Sequence, residues 1–480
     1  MSVFAKNIIK LSSGNALALL ISVGCMPIIT RLYSPDDFGI YAIYFSILGI
    51  IYPISTLRYN SAIVLPESDD EAFLVLILSL IAVICTTFLS FIIVFALNSL
   101  SLVDPEIITV LWWFPLGVLI NGFLISIMFW GTRLKLFGSM AVSRCLDSIA
   151  DRGLVLSLGL LFASNPLFLV MGRLFGPFVS FVQLARNSFK SGWPVPPLLV
   201  STNEIIQVAK RYRDFPLFAS WAFFFSWGGL QLIPLLLAAE FSAIVVGYFF
   251  LVTRILNAPT MLVGDAIAKI YMQKASEMTD HLDSGLADLS LFLFKMLLMM
   301  IVPFFYIIET YGIALFSWFF GEDWKQAGLY SQILISAFSV FLIVRVFSVL
   351  FDILEYQKAR LKFSIISFII NIGVVMLLSN ATHNIYITLC GYAISDIIIN
   401  LVILRFLFNR LGISFFLLIK ITLSSCLLFS PLLIGLLLSL KLDQFFVVIV
   451  IGCAVVAELF IITIFEKDTL ILIIRKLKNT

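Results

Sequence analysis

Seven basic residues lie inside otherwise apolar runs: Arg144, Arg152, Arg173, Arg254, Lys295, Arg345 and Lys420. Each costs ~2.5–3.5 kcal/mol near the centre of a membrane helix, so seven facing lipid would cost on the order of 20 kcal/mol. Such charges are retained for a use. Arg144, Lys295, Lys420 and Arg345 lie close enough to a span end to snorkel. Arg152 and Arg254 are the most central, and Arg173 lies in the outer half. A guanidinium binds phosphate oxygens through paired N–H bonds, best where water is scarce. A cavity with surplus arginine therefore predicts a phosphate-bearing cargo more than a cationic drug.

Helical spacing shows which residues can act together. Arg144, Asp147 and Asp151 share a face, with Arg152 beside it. Gly247, Arg254 and Asp265 share another. Arg345 and Asp352, seven apart, form an expected pair, structural or cavity-lining. Neutral polar stripes run through other spans: Asn15 with Ser22, Ser220 with Trp227 and Gln231, and Asp396 with Asn400. These wet faces are expected to meet in one cavity. Arg254, Arg152 and Arg173 are the expected phosphate ligands, and Asp265, Asp147 and Asp151 the candidate ion-coupling acids.

The elements that must hold these residues are membrane helices. Of 480 residues, 61% are hydrophobic and only 12% charged, about half the charged share of a soluble domain. The apolar runs are continuous and about 20 residues long, which excludes an outer-membrane barrel. The predicted fold is all-α and polytopic. Fourteen spans are expected at 11–31, 39–57, 73–98, 107–130, 143–163, 166–187, 215–238, 240–264, 289–311, 327–352, 361–380, 384–408, 414–440 and 444–465. With both termini cytoplasmic, 21 Lys and Arg fall in inner segments and 3 in outer ones, the expected inside bias. The predicted location is therefore a membrane, crossed many times, with both termini on its cytoplasmic side.

Four units are expected: a six-helix lobe at 1–190, a cytoplasmic linker at 191–214, a second six-helix lobe at 215–408, and a further helix pair with a basic tail at 409–480. Ser34 and Gly39 enter the second span with the spacing that Ser242 and Gly247 keep in the eighth, 208 residues on. Tyr41 and Phe249 follow, then Pro53 and Pro259. This reads as a parallel internal repeat. The inner segment 265–288 reads as a surface helix. The six cysteines form no CxxC pair and the two histidines have no soft neighbours, so no metal site is expected. A net charge of +3 carries no nucleic-acid signature.

The run Ser13-Gly14-Asn15, then Pro27 through Thr30-Arg31-Leu32-Tyr33-Ser34-Pro35-Asp36-Asp37-Phe38-Gly39-Ile40-Tyr41, Leu57-Arg58-Tyr59 and Ile63-Val64-Leu65-Pro66 resembles the polysaccharide transporters. These are the Wzx-type flippases of O-antigen and capsule repeat units. Their superfamily includes multidrug and toxin extrusion proteins and the lipid II flippase. The resemblance implies two bundles around a cationic cavity and a cargo oligosaccharide on undecaprenyl diphosphate. It adds Arg31 and Arg58 to Arg254 as diphosphate-binding residues. It implies no enzyme activity and no cofactor, with a proton, sodium ion or the membrane potential as driving force. The implied partners are the lipid-linked substrate, membrane lipids, and a polymerase and chain-length regulator of the same pathway. A multidrug exporter of the superfamily and a membrane-embedded polymerase or ligase are the alternatives.

Overall fold

The computed structural model describes residues 3–191, 202–224, 228–278, 285–430 and 433. Every regular element among them is helical. The first span is α1 (Val3–Gly24) and α2 (Met26–Leu32), broken ahead of Pro27. The second is α3 (Pro35–Ile51), followed by turns and the short α4 (Tyr59–Ala62). Then come α5 (Asp69–Ser99), α6 (Pro105–Leu111) with α7 (Phe114–Arg133), α8 (Phe137–Leu161) and α9 (Pro166–Lys190). An amphipathic α10 (Thr202–Arg211) precedes the seventh span, made of a π-helical turn Phe215–Ala219, α11 (Ser220–Phe223) and α12 (Gly229–Glu240).

The eighth span is α13 (Ala243–Pro259), a π-helical turn Thr260–Gly264 and α14 (Asp265–Glu277). After it come α15 (Gly285–Phe320), α16 (Lys325–Phe347) with α17 (Leu350–Ile353), α18 (Gln357–Thr382), α19 (Ile385–Arg410) and α20 (Phe415–Leu428). Nine helical segments among the described residues are long and apolar enough to cross a membrane. Three others match the second, fifth and seventh of the fourteen expected spans. Of these, α3 has 17 residues, α8 carries four charged residues, and the seventh segment is described only at 215–224 and 228–240. The expected fourteenth span, the basic tail and the Pro-rich part of the linker lie outside the described residues.

Two boundaries differ from expectation. The stretch after residue 264 is no separate surface helix: α13 and α14 form one rod, Ala243–Glu277. Pro259 lacks an N–H to donate, and the π turn after it absorbs the lost register, so the helix continues. Helix α3 starts before residue 39. Ser34 caps it, its Oγ accepting from the Asp37 amide at 3.2 Å while Asp37 Oδ2 accepts from the Ser34 amide at 2.9 Å. This reciprocal box, with Pro35 at the first helical position, sets the start.

Packing sorts the spans by face. Near the arginine-poor face, residues of both halves share one core. It includes Phe38, Tyr41 and Leu48 with Val246, Phe249, Trp324 and Tyr330. Toward the Lys/Arg-rich face, each half packs around its own core: Phe73, Trp130 and Leu184 in one, Phe294, Phe347 and Phe408 in the other. The halves thus share a core near one face and keep separate cores toward the other, where Arg58 still reaches Phe223 across them. The joint is a crossing of α3 and α13. A Cβ on Gly39 would lie 1.8 Å from the Ala243 carbonyl oxygen, and one on Gly247 1.9 Å from that of Pro35. Beside it, Trp324 Nε1 donates to the Thr30 carbonyl at 2.8 Å, and its ring meets Phe38 edge-on at 4.9 Å.

Candidate functional site

Three arginines converge between the halves. Arg152 comes from α8, Arg173 from α9 and Arg254 from α13. Counted from the helix ends at the arginine-poor face, at 1.5 Å per residue, they lie about 10–17 Å deep. A hydrocarbon core is about 30 Å thick, so all three sit in its middle. They lie within electrostatic reach of one another and of Tyr41.

Their partners are few. Arg254 is half-buried and lies over the rings of Phe45 at 4.5 Å and Phe250 at 5.0 Å. Among the described residues it has no hydrogen bond and no ion pair. Cation–π contacts contribute about 0.5–2 kcal/mol each, and they leave the charge uncompensated. Arg173 lies over the Phe45 ring at 5.5 Å and reaches Asn121 Oδ1 at 3.4 Å, while its Nε is buried without a hydrogen-bond partner. Arg152, 6% exposed, has Asp151 Oδ2 at 3.6 Å and an unpartnered Nε. That pair is poor because consecutive helical side chains do not face each other.

The acids are placed by glycine. Helices α8 and α9 pack closely through Gly172 and Gly176. A Cβ on Gly172 would lie 2.6 Å from Asp151 Oδ1, and one on Gly176 2.5 Å from Asp147 Oδ1. Both carboxylates are thus pressed against the neighbouring helix. Asp147 is the strongest counter-charge acting on Arg173. Three arginines against Asp147 and Asp151 leave one positive charge in surplus.

The other expected ligands stand apart from this cluster. Arg58 lies past the end of α3 toward the Lys/Arg-rich face, in a left-handed backbone turn (φ 61°). That conformation costs about 1–3 kcal/mol for a side-chain-bearing residue. A hydrogen bond from Thr56 to Asn60 at 2.8 Å, with both residues buried, braces the turn. Its guanidinium lies over Phe223 of α11 at 4.7 Å, and its Nε is buried without a hydrogen-bond partner. Arg31 is exposed at the opposite face, donating to the Trp318 carbonyl at 2.9 Å in a groove with Pro27, Ile28 and Phe319. The arginines thus form a ladder from face to face, with Arg58 toward one face, three at mid-depth and Arg31 at the other face.

The expected Arg345–Asp352 pair does not form. Arg345 Nε bonds Asp265 Oδ1 at 3.0 Å, and Asp352 is taken by Arg360 at 3.0 Å. The helix is interrupted after Phe347, so a seven-residue spacing across it no longer keeps a face. Asp265 consequently clamps α14 to α16 and lies outside the arginine cluster.

One half-buried acid is visible in sequence only as part of a stripe. Asp396, on α19, accepts from Asn371 Nδ2 of α18 at 3.1 Å and from Asn400 Nδ2 at 2.9 Å. Ser395 Oγ donates to Asn371 Oδ1 at 2.8 Å. Asn371, Ser395 and Asn400 are buried. Asp396 and Asn400 are one turn apart and legible together, whereas Asn371 joins only through packing. No cation pairs with Asp396 among the described residues. No cluster of metal-ligating side chains is present among them either.

The fold is shared with solved transporters. An inward closed lipid II flippase, MurJ, superposes with TM-score 0.73 at 13% identity, covering 97% of this chain and 100% of that one. An inward-facing multidrug resistance MATE family transporter of the MOP superfamily gives 0.61 at 13% identity, covering 84% and 94%. A MOP superfamily transporter from Pyrococcus furiosus, described as having a binding pocket of reverse polarity, gives 0.53 at 14%, covering 85% and 96%. None of the curated proteins matches the sequence. The family profile described as "Polysaccharide biosynthesis protein" matches residues 28–329, more than half of the chain. With the fold of the MOP superfamily transporters around it, this multi-pass membrane protein belongs to the polysaccharide biosynthesis protein family.

Proposed function

We propose that the protein is a flippase. It moves an oligosaccharide repeat unit on undecaprenyl diphosphate, for O-antigen or for capsule or exopolysaccharide, from the inner to the outer leaflet of the bacterial cytoplasmic membrane. The observation that carries this reading is the mid-depth cluster of Arg152, Arg173 and Arg254, with surplus charge and open N–H donors. A diphosphate supplies the missing acceptors. The charge bias of the sequence supports the Lys/Arg-rich face as the cytoplasmic one, with both termini expected on that side. The diphosphate enters past Arg58, rests on the three arginines, and leaves toward Arg31 as the halves rock. The isoprenoid tail stays in lipid. A polymerase and a chain-length regulator take over the product.

A strain lacking the gene tests this, with lipid-linked glycan measured in each leaflet. Repeat units are expected to accumulate on undecaprenyl diphosphate at the inner leaflet. Unpolymerised units at the outer leaflet would show a polymerase or ligase instead. No change in either leaflet would favour drug export.

Asp396 is the acid we assign to the driving ion, beside Asp147 and Asp151. A carboxylate in the membrane with only neutral amide donors is costly unless a proton or monovalent cation shares the site. Asp265, already paired, has less claim. Asp396→Asn is expected to fold and bind cargo. Its export is expected to fall about tenfold or more, the loss of a coupling free energy of about 1–3 kcal/mol. The residual export should no longer respond when the ion gradient is collapsed.

A further inference from the structure

Two like charges share one ring. Phe45 of α3 has Arg254 over it at 4.5 Å and Arg173 over it at 5.5 Å. One arginine comes from each half of the chain, and their separation cannot exceed the sum of those distances. The ring itself is held by Phe250, edge-on at 5.5 Å, and by Tyr41 at 6.0 Å.

We propose that Phe45 is a positioning residue for the anion: its ring holds the Arg173 and Arg254 guanidiniums together so that both offer N–H donors to one diphosphate. This rests on the flippase reading above.

In a site with little water, two neighbouring guanidiniums repel, and Arg173 is also drawn toward Asp147. A carboxylate placed between them would hold them, but it would occupy their donors and cancel their charge. An aromatic ring does neither. Its negative face attracts a cation without neutralising it. A guanidinium's five N–H bonds lie in its own plane, so contact through the flat face leaves them free. The observed donors fit this. Arg254 makes no hydrogen bond among the described residues, and Arg173 Nε has no hydrogen-bond partner. The ring thus assembles a two-armed anion site while it is empty. It does so across the boundary that must move during transport.

The test is a series of phenylalanines with one, two and three ring fluorines at position 45, in the full-length protein in nanodiscs. Fluorine drains the ring face while nearly preserving its shape, so a purely space-filling role predicts no trend. The probe is a short-chain polyprenyl diphosphate without sugar, titrated calorimetrically. Affinity is expected to fall stepwise to about tenfold below native, the sum of two weak cation–π contacts. Phe45→Leu should match the trifluoro variant, and Phe45→Trp should restore binding. A flat series, with Arg254→Ala still losing binding, would overturn the role of Phe45 and leave the flippase reading standing. No binding by the native protein would overturn both.

Discussion

Replacing Arg254 by alanine is expected to abolish export while leaving the purified protein as heat-stable as the native chain, or more so. The two halves of this expectation have one cause. Arg254 has aromatic faces but no acid and no hydrogen-bond acceptor among the described residues. Its charge costs ~2.5–3.5 kcal/mol at mid-membrane, and two cation–π contacts, at about 0.5–2 kcal/mol each, return an amount of the same order. Truncation removes the cost together with the repulsion from Arg152 and Arg173. Cargo binding moves the other way. Losing one partner of a desolvated charge pair costs about 2–5 kcal/mol, or roughly 30- to several thousand-fold in affinity. Arg254→Lys keeps the charge without the planar fork and should fall between the two. The contrast is Arg345, whose guanidinium is paired with Asp265. Arg345→Ala should lower the melting temperature and touch cargo affinity little. The measurements are thermal unfolding in detergent and binding of a polyprenyl diphosphate. A destabilised Arg254→Ala protein that still binds would show the residue to be structural.

The same contrast explains what could be read from sequence. Arg254 stood out because a charge deep in an apolar run with no same-face acid nearby is expensive wherever the helix packs, and that holds in one dimension. Pairing does not. Arg345 and Asp352 share a face only if the helix runs unbroken, and it is interrupted after Phe347. Asp265 reads in sequence both as sharing a face with Arg254 and as opening a surface segment. The π turn after Pro259 instead carries the rod onward and brings Asp265 to Arg345. Asn371 and Phe45 were silent for a simpler reason. An asparagine or a phenylalanine among apolar residues has no distinctive spacing, and each gains its role from a side chain on another helix. Arg31 and Arg58 were placed by family likeness alone. They lie toward the two faces, not with the mid-depth three. What a single chain direction encodes, the spans and the depth of a charge, was legible. What depends on two helices meeting was not.

The two segments that the sequence relates as a repeat, entered at Gly39 and Gly247, are the helices that cross, a contact the repeat alone does not imply. Alanine at Gly247 or at Gly39 is expected to cost about 1–3 kcal/mol each, the usual range for overpacking, and to leave the arginine-poor face unable to shut. A Cβ at either position would land within 2 Å of a backbone carbonyl oxygen. No rotamer change relieves that, so α3 and α13 must separate. Gly39 faces the first residue of α13, and Gly247 faces the first residue of α3. Each glycine therefore guards the same crossing from its own side. Once one methyl has parted the helices, the second meets less resistance, so the double variant should cost clearly less than the sum. Two independent structural faults would simply add. The functional readout is a Tyr41→Cys probe in a chain stripped of its native cysteines, labelled by an impermeant thiol reagent from outside. Tyr41 is 3% exposed, in the core that both halves share. Labelling should rise in each glycine variant as export falls, because a joint that cannot close exposes the shared core to the outside. If labelling stays at the native level while export falls, the crossing is not the part that opens.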